Sequence, residues 1–304
     1  MRFLVCVLVL VGCNGTASEP MTDPADASLE VGLADAVDDG STLGDAPADV
    51  SQFDATEGGD AAPIGSAGCG GEPGLEREIW LPQTLSVAGV ARDWFLWLPE
   101  DYDPNRSYAV VYQFHGCSDQ PERENNNVPV QEESGGDAIH VRGRAVERCW
   151  EGAADGPDVA FFDALVTEVE ANFCADPTRR FATGYSSGAF LTHRLACVRG
   201  DTLRAVATIA GGLGGQDCAG SVAALLIHDR QDPVVNVSAS EGARDAHAER
   251  NGCEGRVPTD PSPCEAYEEC AAELPVVWCQ TDGRGHSRQD NFAAPTFWDF
   301  LSDF

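Results

Sequence analysis

Residues 184–188 read Gly-Tyr-Ser-Ser-Gly, and no other stretch restricts the architecture of this chain as much. The run before them, Arg180-Phe181-Ala182-Thr183, has strand character, and the run after them, 189–197, places apolar residues at helical spacing. Glycines two before and two after a serine let strand and helix crowd together while the serine is held at the apex of a sharp turn. The pattern therefore calls for a strand–turn–helix unit. In a chain with 32 glycines the five residues alone carry little weight. A glycine-flanked turn serine that merely caps a helix is the plain alternative, so the context of the motif decides.

That context is a succession of strands and helices. Residues 75–87 and 90–98 alternate, with Trp94, Leu96 and Leu98 on one side, which predicts an opening antiparallel pair. Residues 109–114 are continuously apolar, as in a strand buried on both faces, and end in His115-Gly116-Cys117. Residues 118–157 are polar and weakly periodic, so loops are expected there with one short strand near 139–141. A helix is predicted over 158–173 from the apolar face of Val159, Phe162, Leu165, Val166 and Val169. Strand 180–183, helix 187–198, strands 205–210 and 222–227, a last strand 275–279 and a closing helix 294–304 complete the set. Alternation of this kind implies an α/β fold with a mostly parallel central sheet and helices on both faces.

The N-terminal part is different in kind. Residues 1–12 hold one positive charge and an apolar run too short to span a bilayer, and are expected to be a lipoprotein signal peptide. Leu10-Val11-Gly12-Cys13 has the form of an acylation sequence, with Cys13 as the lipidated mature N-terminus; a plain secretory leader cleaved slightly later is the alternative. Residues 14–66 contain twelve Asp or Glu and no Lys or Arg. Such a segment buries too little apolar surface to offset its ordering entropy, so 13–66 is expected to be an acidic, disordered tether. Asp35-Ala36-Val37-Asp38-Asp39-Gly40 lacks the alternating oxygen ligands of a calcium loop.

Residues 67–304 suit one domain. With twelve of the 50 acidic residues and Arg2 lying before it, this region sets 38 carboxylates against 18 arginines, and the chain has no lysine. Nucleic acid is thereby excluded as a partner, since no basic surface is present to displace phosphate counterions. Removing Cys6 with the leader and Cys13 to the lipid leaves ten of the twelve cysteines, an even number that predicts disulfides in an exported chain. No Cys-x2-Cys spacing occurs, so no metal site is expected. Proximity along the predicted fold pairs Cys264 with Cys270, Cys253 with Cys279, and Cys197 with Cys218.

A serine hydroxyl is a poor nucleophile without a positioned base, and the base needs a partner to fix its tautomer. With the serine on a strand–turn–helix elbow, the acid and then the histidine follow later in the chain. His286, in Asp282-Gly283-Arg284-Gly285-His286, is the histidine of the late loop after the last strand; His193 should pack along its helix and His247 looks exposed. After strand 222–227, Asp232 is favoured as the acid over Asp229, which could pair with an arginine instead. Acyl transfer also develops an oxyanion, for which the backbone N–H groups of Ser187 and Cys117 are the expected donors. His115 would then hold the Cys117 loop by hydrogen bonds.

Together, Phe114-His115-Gly116-Cys117, Gly184 to Phe190, Asp232-Pro233-Val234-Val235, Asn251-Gly252-Cys253, Val277-Trp278-Cys279 and Gly285-His286 resemble the feruloyl esterase and polyhydroxybutyrate depolymerase-like group of secreted α/β-hydrolases. Where relatives commonly carry a glycine after His-Gly-Cys and an aromatic after the histidine, Ser118 and Ser287 stand here. The resemblance implies an α/β-hydrolase fold over 67–304 and no cofactor. It also implies a triad of Ser186, Asp232 and His286 with oxyanion donors at Cys117 and Ser187. The function it implies is an extracytoplasmic serine carboxylesterase acting on feruloyl or acetyl esters of plant cell-wall polysaccharide. A polyhydroxyalkanoate depolymerase with the same triad is the alternative substrate reading. A catalytically dead surface-binding module is the alternative from another class, and it would require a missing triad member. The expected partners are an ester-bearing polysaccharide or polyester and, through the lipid alone, a membrane; the chain is expected to be a monomer.

Overall fold

A computed structural model describes residues 65–120, 122–214 and 218–304. The expected signal peptide 1–12, the lipidation site Cys13 and the tether up to residue 64 lie outside the described residues. Within them the strands are β1 (Leu81–Val87), β2 (Val90–Trp97), β3 (Tyr108–Phe114), β4 (Ala138–Gly143), β5 (Ala175–Tyr185), β6 (Ala205–Ile209), β7 (Ala223–Asp229), β8 (Glu254–Thr259), β9 (Cys264–Glu268) and β10 (Val276–Thr281). The helices are α1 (Pro157–Asn172), α2 (Ser187–Val198), α3 (Val237–Arg250) and α4 (Asp290–Ser302).

All the strands join one sheet in the order β1-β2-β4-β3-β5-β6-β7-β10-β9-β8. From β4 to β10 neighbouring strands run parallel, and antiparallel pairs close both edges. A parallel block is buried on both faces, and β3 shows why its sequence is continuously apolar. Val110, Tyr112 and Phe114 enter the core under α1, α2 and α3, while Ala109 and Val111 enter the core under α4. This is the α/β-hydrolase fold. Its geometry collects the carboxyl ends of β3, β5, β7 and β10 on one edge, where loops can carry a site.

Five disulfides tie the periphery to this frame. Cys69 with Cys174 closes the longest loop, a separation of 105 residues, worth roughly 4 to 5 kcal/mol in the chain-entropy view. Cys197 pairs with Cys218 as expected, but the other two expected pairs are corrected to Cys253 with Cys270 and Cys264 with Cys279. The reason is the β8–β9 hairpin, which apolar patterning does not reveal. It sets Cys264 directly opposite Cys279 across an antiparallel pair and leaves Cys253 and Cys270 at its two open ends.

His247 is also corrected: it is fully buried rather than exposed. It lies on α3, a helix whose inward face is made of Ser240, Ala243, His247 and Ala248 rather than of large apolar side chains. His247 Nε2 stands 3.1 Å from Nδ1 of His193, whose Nε2 in turn meets Thr208 Oγ1 at 3.1 Å. Burial draws both histidines well below their ordinary pKa, that of His247 to about 4, so this is a neutral core contact between helices and sheet.

Candidate active site

The elbow forms where β5 meets α2. Ser186 has φ 54 and ψ −119, a backbone conformation a non-glycine residue adopts only when its surroundings impose it. The imposition is visible. Ser186 N–H donates to the Ile209 carbonyl at 3.0 Å, and its own carbonyl accepts from Ala189 and Phe190 in the first turn of α2. A Cβ on Gly184 would lie 2.3 Å from the Gly188 carbonyl oxygen, and one on Gly188 would lie 1.9 Å from that of Phe114. No side chain fits at either position, which is the physical content of the Gly-x-Ser-x-Gly pattern here.

Three separate loops bring Ser186, His286 and Asp232 together. His286 Nε2 lies 3.0 Å from Ser186 Oγ, and His286 Nδ1 lies 2.7 Å from Asp232 Oδ2. The Asp232 side chain is completely buried, and its Oδ1 accepts the backbone N–H groups of Val234 at 2.8 Å and Val235 at 2.9 Å. Burial pushes its carboxyl pKa up, but the hydrogen bonds from His286 and from the Val235 and Val234 amides outweigh this, and the net shift is downward. The carboxylate therefore stays ionised beside His286, whose Nδ1 is the donor and whose Nε2 is left to accept from the serine hydroxyl.

Asp229 has another occupation. Its Oδ1 accepts from Gln231 N–H at 3.0 Å, and its Oδ2 accepts from the Thr281 hydroxyl at 3.0 Å and Arg284 N–H at 2.9 Å. It staples the loop after β7 to the loop that carries His286. The arginine contact is thus to the Arg284 backbone, not to a guanidinium.

The two expected oxyanion donors are free. Among the described residues neither the Cys117 nor the Ser187 backbone N–H has an acceptor, and both residues are partly exposed. The Cys117 loop is held on every side. His115 Nδ1 donates to the Gly116 carbonyl at 2.7 Å, while Nε2 accepts from Ala145 N–H at 3.1 Å. Trp150 Nε1 donates to the His115 carbonyl at 2.9 Å, and Cys117 is bonded to Cys149. Burial lowers the His115 pKa to about 4, so the ring is a neutral brace.

Some contributors are not signalled by sequence pattern. The Tyr185 hydroxyl donates to the His286 carbonyl at 3.3 Å, with the two rings 5.3 Å apart. Arg288 Nη1 donates to the carbonyls of Asn125 and Asn127, each at 2.9 Å, linking the histidine loop to the segment after the Cys117 loop. Tyr185 lies inside the elbow motif, so its place beside the serine was the available clue. Arg288 had none, because its partners are backbone atoms distant in sequence.

No protein-family model matches the chain. Among curated proteins, feruloyl esterase D of Neurospora crassa is 30% identical over 273 residues, covering 80% of this chain and 92% of the relative. Feruloyl esterase C of Emericella nidulans is 32% identical over 206 residues, covering 64% of this chain and 71% of the relative. Among solved structures, an acetyl xylan esterase from Aspergillus awamori superposes with a TM-score of 0.59 over 73% of this chain and 99% of its own, at 14% identity.

Proposed function

Because the chain belongs to the feruloyl esterase family and is a carboxylic ester hydrolase, we propose that Ser186 is its nucleophile, His286 its general base and acid, and Asp232 the partner of His286. The observation that carries this reading is the continuous relay from Ser186 Oγ through His286 to a buried, ionised Asp232, at 3.0 and 2.7 Å. As Oγ attacks the ester carbonyl carbon, its proton passes to His286 Nε2 and the carbonyl oxygen becomes an oxyanion facing the Cys117 and Ser187 N–H groups. Two such donors lower the barrier by a few kcal/mol. Collapse breaks the bond to the alcohol, which takes the proton from Nε2 and leaves an acyl group on Ser186. Water then repeats the sequence, giving its proton to Nε2, and releases the acid.

The substrate we propose is a feruloyl or acetyl ester on plant cell-wall polysaccharide. Its relatives support it: they are feruloyl esterases by sequence and an acetyl xylan esterase by fold. Purified protein is expected to hydrolyse methyl ferulate or acetylated xylan and to leave short polyhydroxybutyrate untouched. Turnover of the polyester alone would overturn the assignment. Ser186→Ala protein run in parallel separates this substrate test from contaminating activity.

An extracytoplasmic setting fits the five disulfides, which persist in oxidising compartments. No helix among the described residues is long and apolar enough to cross a membrane. We assign residues 1–12 as a signal peptide, Cys13 as the lipidated N-terminus, 13–66 as a tether and 67–304 as the esterase domain. The intact mass of the mature protein should then be that of a chain beginning at Cys13 and carrying acyl groups. An unmodified mass, or a start downstream of Cys13, would remove the anchor.

A further inference from the structure

Asp232 has a second histidine against it. His228, the penultimate residue of β7, is fully buried, with its Nε2 3.5 Å from Asp232 Oδ2, the oxygen that also accepts from His286. The same Nε2 lies 3.0 Å from the Val235 carbonyl, which can only accept, so Nε2 carries a proton. Nδ1 lies 2.5 Å from the hydroxyl of Ser240 on α3, which shares its proton between this nitrogen and the Gly211 carbonyl. Burial pulls the His228 pKa down against the raising effects of the Val235 carbonyl and of Asp232, and the net direction is downward, in keeping with a neutral Nε2–H ring.

Counting donors around Asp232 shows what this ring adds. A carboxylate offers about four lone-pair positions. Oδ1 takes the N–H groups of Val234 and Val235, and Oδ2 takes His286, which leaves one position on the oxygen that His228 approaches. We propose that His228 is a positioning residue for the triad carboxylate: its Nε2–H, shared between the Val235 carbonyl and Asp232 Oδ2, completes the donor set of Asp232 and limits how strongly that carboxylate holds the charged form of His286. The inference rests on the triad reading above. The titratable groups around the ring are Asp229, the next residue of β7, Asp232 on the loop after β7 and His286 on the loop after β10; among the described residues the contact from α3 is the Ser240 hydroxyl. Asp229 is already occupied by Thr281, Gln231 and Arg284.

Without the His228 donor, more negative charge on Oδ2 faces His286, and His286 keeps its proton to higher pH. In the full chain, His228→Leu is expected to raise the acid-limb pKa of kcat/KM for 4-nitrophenyl acetate by about half a unit to one unit. The same variant should lower kcat roughly tenfold with little change in KM. His228→Gln retains an N–H donor and should restore the limb most of the way to the wild-type position. Ser240→Ala, which loosens the ring from its other side, should move the limb in the same direction by less. An acid limb unmoved in His228→Leu and Ser240→Ala overturns the inference. So does a limb moved equally by Leu and Gln, which would mark packing rather than the N–H. If the Leu variant does not fold, the limb of Ser240→Ala decides in its place. Failure of the underlying triad reading is distinguishable, since it shows as retained turnover in Ser186→Ala.

Discussion

Ser186→Ala is expected to lower kcat for 4-nitrophenyl acetate by roughly a millionfold, the scale on which a triad serine acts. The substitution removes Oγ and nothing else of consequence. Alanine keeps the Cβ, so the cost of holding a φ of 54 is the same as for serine, and the hydrogen bonds that shape the elbow are all to the Ser186 backbone. Near-UV circular dichroism should therefore match the wild type. The small residual rate would come from the oxyanion donors and substrate binding, which the variant retains. A loss of less than about tenfold would remove Ser186 from the chemistry, because removing the bond-forming atom of a triad costs several orders of magnitude more than that.

Asp232→Asn is expected to cost about 10⁴ in kcat, and the reason lies in which side of the carboxylate is already committed. Oδ1 accepts two backbone N–H groups, from Val234 and Val235. An asparagine must put its carbonyl oxygen there, since its NH₂ group would meet two donors. Its NH₂ then faces His286 Nδ1, which must become an acceptor, and the ring proton moves to Nε2. A histidine protonated at Nε2 cannot take the proton of Ser186. Asp229→Asn makes a useful contrast. It weakens the staple between the loops after β7 and β10 but leaves the His286 tautomer alone, so a loss of about tenfold is expected from mispositioning. Steady-state rates on the same ester compare the two, and the reverse ranking would move the acid to Asp229.

The parts of this site that sequence exposes are those where local chemistry and chain order coincide. Gly184 and Gly188 are needed because two backbones meet there, and the strand before and helix after them carry their own periodic signals. Asp232 precedes a proline and lies just past a buried strand, and His286 sits in the glycine-containing turn after the last one. What stays hidden is polar or long-range. Helix α3 lacks a large apolar stripe, and its one start signal is Asn236, whose side chain accepts from Ser238 N–H at 3.0 Å. With α3 unrecognised, neither the burial of His247 nor the contact of Ser240 with His228 can be read. The start of α4 is similarly masked. The closing helix is expected over 294–304, yet the structure begins it at Asp290 with Pro295 inside. The hairpin of β8 and β9 lies at an edge with β8 largely exposed, so no burial pattern marks it, and the two mistaken disulfides follow from that omission.

The central claim is that Ser186 Oγ, activated through His286, forms the acyl bond. Incubating the protein with a fluorophosphonate, which is captured only by an activated serine, and locating the adduct by peptide mass spectrometry tests it most directly. A single adduct is predicted, on the peptide that carries Ser186, absent from Ser186→Ala and strongly slowed in Asp232→Asn. An adduct on another serine, or an active enzyme that takes up no label, would contradict the account.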